Sequence, residues 1–189
     1  MSNYLKTLVA VCTVVCGTYL VSAQEALKAA PGAALYIYNL SDSVKPAPEA
    51  EPISVIVDSS AQFSQGNLRK NNETLKFLNQ QLFLVWTGYI SITKKGIYTF
   101  SMSYNKQHSW NNPSVVFQIN DKDFLRIVQS RKETKLNDSL SIALEKGNYE
   151  IKLICRASGG AHEFSVKMWN KHRPLKKFEI TPASMVHAE

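Results

Sequence analysis

The sequence predicts an all-β fold: a single antiparallel two-sheet β-sandwich. Three observations carry this. Apolar residues alternate from Trp86 to Ile92 and again from Ile97 to Met102, around the basic turn Lys94-Lys95-Gly96. Two period-2 runs about a Gly-containing turn read as a β-hairpin with one buried face. Eight or nine such short apolar runs, separated by Gly or Asn turns, span the chain. No segment carries a strong helical period, so the layers must be sheet on sheet.

The elements follow in order. Residues 24–30 (QEALKAA) suit one helical turn or a disordered start. Leu35 to Leu40 is a first strand. Residues 41–52 carry Pro46, Pro48 and Pro52 and make an extended loop, since proline cannot donate to a ladder. Ile53 to Val57 is a short β-branched strand. The polar stretch 59–81 reads as loop, with a helical turn near Glu73 to Leu78. After the central pair, Asn105 to Asn112 is polar. Ser114 to Ile119 is a strand, Asn120 to Asp123 a turn, and Phe124 to Val128 a strand. Leu140 to Leu144 leads through a turn at Glu145 to Asn148 into Tyr149 to Cys155. Ser158 to His162 is a Gly-rich loop, and Phe164 to Trp169 alternates again. Phe178 to Ile180 and Ser184 to Val186 close the domain. The repeat of KKGIYTF (94–100) as EKGNYEI (145–151) reads as two hairpins of one architecture.

The first 23 residues read as a secretory signal peptide. Lys6 supplies the positive start, Leu8 to Leu20 the apolar run, and Val21-Ser22-Ala23 a small-residue cleavage site, so the mature chain is expected to begin at Gln24. An uncleaved anchor is the alternative; the run is short for a span. Lipoprotein attachment at Cys12 or Cys16 is disfavoured by Val11 and Val15 before them. Cleavage leaves one domain of ordinary size and one cysteine, Cys155, which reads as a packed core residue, with an intermolecular bridge as the minor alternative. It also leaves 21 basic and 15 acidic side chains. The excess is scattered, as at Lys94-Lys95, Arg131-Lys132 and Lys171 to Lys177. That reads first as a solvated surface and second as attraction to an anionic surface or polysaccharide; nothing indicates nucleic acid.

The most binding-like cluster is His108, Trp110, Asn111 and Asn112. A Trp in a polar loop can stack on a sugar ring while amides supply directional hydrogen bonds. The competing reading tucks the Trp against the sandwich and spends the Asn residues on turns. Trp86 and Trp169 lie in alternating strands and are expected in the core. Asn120-Asp121-Lys122-Asp123 lacks the ligand count of a calcium loop and reads as a turn. The four His (His108, His162, His172, His187) show no metal-ligand spacing, and Ser158 to His162 is no nucleophile elbow. No catalytic residue, cofactor or metal is expected.

Taken together, PGAALYIYN (31–39), VWTGYISITKKGIYTFSMSY (85–104), VVFQINDKDF (115–124), LEKGNYEIKLICRASGGAHEFSVKMW (144–169) and ITPASMVH (180–187) resemble, in that order, the β-sandwich family named after the N-terminal fragment of anthrax protective antigen. That family includes yeast flocculins and the GLEYA adhesins. The resemblance implies carbohydrate binding at cell surfaces. It also implies a calcium ion held by two consecutive Asp in the loop after the Gly-Tyr strand. Here that loop reads Tyr104-Asn105-Lys106-Gln107-His108-Ser109, with no Asp pair and a lysine that would repel a cation. The fold is therefore expected without the calcium site.

The expected organisation is a signal peptide at 1–23, an N-terminal segment at 24–34 and the sandwich at 35–189. The expected function is an exported, non-enzymatic binding protein, periplasmic, cell-surface or secreted, in adhesion or carbohydrate recognition. Its partner would be a cell-surface glycan. The alternative is a structural subunit or accessory factor of a surface assembly such as a fimbria, whose strand edges pair between chains.

Overall fold

A computed structural model describes residues 29–39, 51–64, 81–106, 114–129, 134–158 and 162–188. These form two antiparallel sheets. The larger sheet contains β1 (Ala29–Pro31), β2 (Ala33–Asn39), β3 (Ser54–Asp58), β5 (Gln81–Ile92), β7 (Ser114–Ile119), β8 (Lys122–Gln129), β9 (Thr134–Lys135), β11 (Gly147–Ser158) and β14 (Val186–Ala188). Its main path is β1-β14-β5-β11-β7-β8-β9. Strand β2 pairs with β5 on the flank that also receives β14, and β3 hangs on β2 as an edge. The smaller sheet runs β10-β6-β12-β13, from β10 (Asn137–Leu144), β6 (Gly96–Lys106), β12 (His162–Asn170) and β13 (Phe178–Ile180). Strand β4 (Phe63–Ser64) adds to it through β12.

Alternation decides which side chains meet between the sheets. From the larger sheet come Leu35, Ile37, Leu84, Trp86, Phe117, Ile127 and Leu153; the smaller supplies Phe100, Met102, Phe164 and Val166, all buried. Cys155 is fully buried among them as a free thiol, and burial pushes its pKa up, as expected of a core residue. The aromatic residues interlock edge to face: Phe63 on Trp86 at 5.6 Å and Phe100 on Phe124 at 5.5 Å between centroids. Phe124 reaches Phe100 because the β7–β8 register shifts there. Phe117 faces Leu125 while Gln118 faces Asp123, so Phe124 is the extra residue of a bulge.

The central pair is not a hairpin. Strand β5 pairs with β2, β11 and β14, whereas β6 pairs with β10 and β12 in the other sheet. The turn at Lys94 is therefore an arch that crosses the sandwich. The second copy of the motif does the same, carrying β10 of the smaller sheet into β11 of the larger. The two arches stack, since Ile92 faces Gly147 and Gly96 faces Leu144. Each is locked by its tyrosine four residues on. The Tyr98 hydroxyl donates to the Lys94 carbonyl at 2.7 Å. The Tyr149 hydroxyl donates to the Glu145 carbonyl at 3.1 Å and accepts from the Glu145 amide at 2.9 Å. Lys95 and Glu145 form an ion pair at 2.6 Å across the stack. Asn120 and Asp121, expected as a turn, form the two-residue turn of a true hairpin, both with positive φ (48° and 61°) as a type I′ turn requires.

Three further expectations are corrected. Ala29 and Ala30 lie in strand β1, paired with β14, rather than in a helical turn. Within the polar stretch after Ser59, Phe63 is a buried core ring on β4. The segment from Ser184 begins as a 3-10 turn, Pro182–Ser184, capped by Thr181, and only then becomes strand β14.

Gly88 has a steric task in the closing strand. A Cβ there would come within 2.9 Å of the Val186 carbonyl oxygen and 2.8 Å of Met185 Cε. The glycine lets the last strand lie against β5, where Val186 faces Tyr89.

Candidate functional site

The strands that bracket 107–113 end together. Lys106 closes β6 opposite His162, and Ser114 opens β7 opposite Arg156 and Val128. The end of β2 and the start of β5 meet there too, with Asn39 facing Leu82. The candidate residues His108, Trp110, Asn111 and Asn112 fall between these anchors and lie outside the described residues. The expectation that no tight calcium site exists in this loop falls largely outside them as well.

Below this end, the outer face of the larger sheet carries a groove of about 350 Å³. Its floor is Val116 and Ile154, cross-strand partners on β7 and β11. Phe83 of β5 walls one side, with Tyr38 of β2 packed edge-on at 6.2 Å. Arg156, Ser114 and Arg126 line the groove with Gln118 and Asp123. Gln118 Nε2 donates to Asp123 Oδ1 at 2.7 Å, which fixes both heads. Arg126 is positioned by its backbone, whose N–H donates to Asp138 Oδ2 at 2.7 Å. One row further along β11, Lys152 is bonded to Asp121 and paired with Glu150 at 3.4 Å. The Asp121 hydrogen bond is the larger cause that holds its ammonium pKa above the ordinary lysine value. An apolar floor, an aromatic wall and fixed donors and acceptors suit a small polar ligand with one apolar face.

Sequence reasoning missed this groove. Its residues occupy the outward phase of strands whose inward phase carries the core, so alternation marks them only as not buried. Trp169 was expected in the core and is not there. Phe164, Val166 and Met168 point inward, and Trp169 shares the outward phase with Ser165 and Lys167, half-buried under the Lys177 ammonium at 5.0 Å. Trp86 is fully buried, as expected. Its indole N–H donates to Asp58 Oδ2 at 2.7 Å, and Asp58 Oδ1 accepts from the Ser60 amide at 2.9 Å.

Among the described residues, no group of three or more His, Cys, Asp or Glu could hold a metal ion. Tyr104 is a buried core ring stacked on Phe164, and the sequence after it offers amides and a lysine where a calcium site needs carboxylates. No helix among the described residues is long and apolar enough to cross a membrane.

No protein-family model and no curated protein matches the sequence. Solved structures do match its fold. An anti-sigma factor domain-containing protein superposes with a TM-score of 0.58 at 19% identity over 86% of this chain, which spans 49% of that protein. A PA14 sugar-binding domain from an RTX adhesin gives 0.58 at 10% identity, covering 85% of this chain and all of that domain. The A domain of epithelial adhesin 6 from Candida glabrata, solved with Galβ1-3GlcNAc, gives 0.56 at 11% identity over 85% of this chain and 88% of that one. A Kluyveromyces marxianus β-glucosidase shares the fold in only 16% of its length, at 20% identity, 74% of this chain and a TM-score of 0.51. The fold is thus a PA14-like β-sandwich.

Proposed function

We propose that this chain is an exported, non-enzymatic carbohydrate-binding protein of the adhesin type, which grips its glycan without calcium. One observation carries the reading: the sandwich matches the whole of a sugar-binding adhesin domain, so the likeness is to a complete binding unit. The groove supplies the chemistry. The floor of Val116 and Ile154, with the edge of Phe83, meets the apolar side of a pyranose, while Gln118, Asp123, Ser114 and the two arginines bond its hydroxyls. His108, Trp110, Asn111 and Asn112 extend the contact from the preceding loop. The apolar leader that ends at Val21-Ser22-Ala23 supports export, and the Lys106 position supports the loss of calcium.

Titration of the protein with glycans, Galβ1-3GlcNAc among them, tests the reading. Binding should persist in a chelator and fall at least tenfold in Arg126→Ala and Gln118→Ala, whose side chains lie outside the core. Full binding by both variants would remove the groove from the site, and binding abolished by chelator would restore a metal.

A further inference from the structure

The arches and the turn after β12 build a basic tip. Strand β6 runs from Gly96 at this tip to Lys106 at the loop end, whereas the groove lies along the outer face of the larger sheet from Ser114 to Gln118. The segment 171–177 holds Lys171, Arg173, Lys176 and Lys177 in seven residues with no acid. It is not loose. The Lys171 amide donates to the Ile97 carbonyl at 2.8 Å, Arg173 to Asn170 at 2.8 Å, and Lys176 to the Arg173 carbonyl at 3.1 Å. The His172 amide is held by Asn170 Oδ1 at 2.9 Å. These bonds pin the segment beside the Lys94 arch and present all seven side chains to solvent.

The same tip exposes apolar side chains that the fold does not need there. Leu175 is 98% exposed and Ile97 38%. Trp169 lies on the same outward face of the smaller sheet as Ile97, under Lys177. A basic patch that served only solubility would gain nothing from a leucine at its summit. An apolar point ringed by Lys and Arg, with a half-buried Trp at the margin, is the pattern that binds a negatively charged lipid surface. The cations meet headgroup phosphates while the apolar tip enters the acyl boundary.

We infer that residues 171–177, with Ile97 and Trp169, dock this protein on an anionic lipid bilayer. The charge complementarity and the exposed Leu175 argue for this occupant over an anionic polysaccharide, which would meet the lysines but leave Leu175 without a role. The inference stands on its own residues and survives failure of the glycan reading.

Co-sedimentation of the full chain and its variants with vesicles tests it; any contribution of the apolar N-terminal run is common to all of them. Binding to phosphatidylcholine vesicles with a quarter phosphatidylglycerol should exceed binding to pure phosphatidylcholine at least tenfold, and should fall with added salt. Arg173→Glu with Lys177→Glu should remove at least tenfold of that excess, and Leu175→Asp several-fold, with unchanged thermal melts. Arg126→Ala should bind vesicles normally, which separates this site from the groove. Equal sedimentation with both vesicle types, or charge variants that bind like the parent, would overturn the inference. So would soluble alginate or heparin that binds the tip with Leu175→Asp indistinguishable from the parent.

Discussion

Asp58 is a buried carboxylate that sequence reading passes over, and its removal should be among the more damaging changes in the larger sheet. It is 6% exposed and takes two hydrogen bonds, from Trp86 Nε1 at 2.7 Å and from the Ser60 amide at 2.9 Å. Trp86 is fully buried, so its N–H has no water to turn to when Asp58 is truncated. A hydrogen bond to a charged group contributes about 1.5–3 kcal/mol, and a buried donor left unpaired costs about 1–3 kcal/mol. Asp58→Ala should therefore destabilise by about 2–4 kcal/mol, from the stranded indole and the freed Ser60 turn. Asp58→Asn keeps an acceptor of similar shape and should cost about 1 kcal/mol, since a neutral bond is about half as strong. Trp86→Phe removes the donor and keeps most of the ring. In a double-mutant cycle, Asp58→Ala with Trp86→Phe should show a coupling of about 1.5–3 kcal/mol. Urea melts followed by far-ultraviolet circular dichroism measure all four proteins. A coupling under about 0.5 kcal/mol, the usual limit of additivity, would refute the claim that the bond anchors the indole.

The other predictions are simpler. Trp86→Ala should cost about 3–5 kcal/mol in the same melts, and Trp169→Ala about 1 kcal/mol or less, because only the first ring is core. Equal losses would return Trp169 to the interior. Tyr98→Phe and Tyr149→Phe should each lose about 0.5–1.5 kcal/mol, one for each arch lock; a neutral pair would show that the arches hold without them. Cys155 should resist thiol reagents in the native protein and react only on unfolding. Its pKa is raised by burial, so the folded state holds its proton where the unfolded thiol loses it. Stability should then decline as pH rises past about 8.5, by about 1.4 kcal/mol per unit from this group. Flat stability through that window, or rapid native labelling, would contradict the burial.

The strands were legible because alternation is local. SVVFQI at 114–119 states its buried face outright, with Val115, Phe117 and Ile119 inward. What alternation does not encode is the sheet a strand joins. Lys94-Lys95-Gly96 is short enough for a hairpin, and only the pairing of β5 with β11 and of β6 with β12 makes it an arch. The repeated Gly-Tyr motif was visible, but its hydroxyl-to-carbonyl lock requires the arch geometry. Trp169 was misplaced although its phase was readable: it shares parity with Ser165 and Lys167, not with Val166. Phe63 and Asp58 carry no local signal, since their burial comes from contacts with Trp86. The groove is legible only once β5, β7, β8 and β11 are side by side. His108, Trp110, Asn111 and Asn112 were picked by residue type and lie outside the described residues.

The central claim is that this sandwich recognises carbohydrate without calcium. A glycan array probed in the presence of chelator tests it most directly, with circular dichroism on the same sample to verify the β-sheet fold. The account predicts selective binding to at least one glycan class, unchanged by chelator and weakened by Arg126→Ala. A folded protein that binds no glycan on the array, with or without calcium, would contradict it.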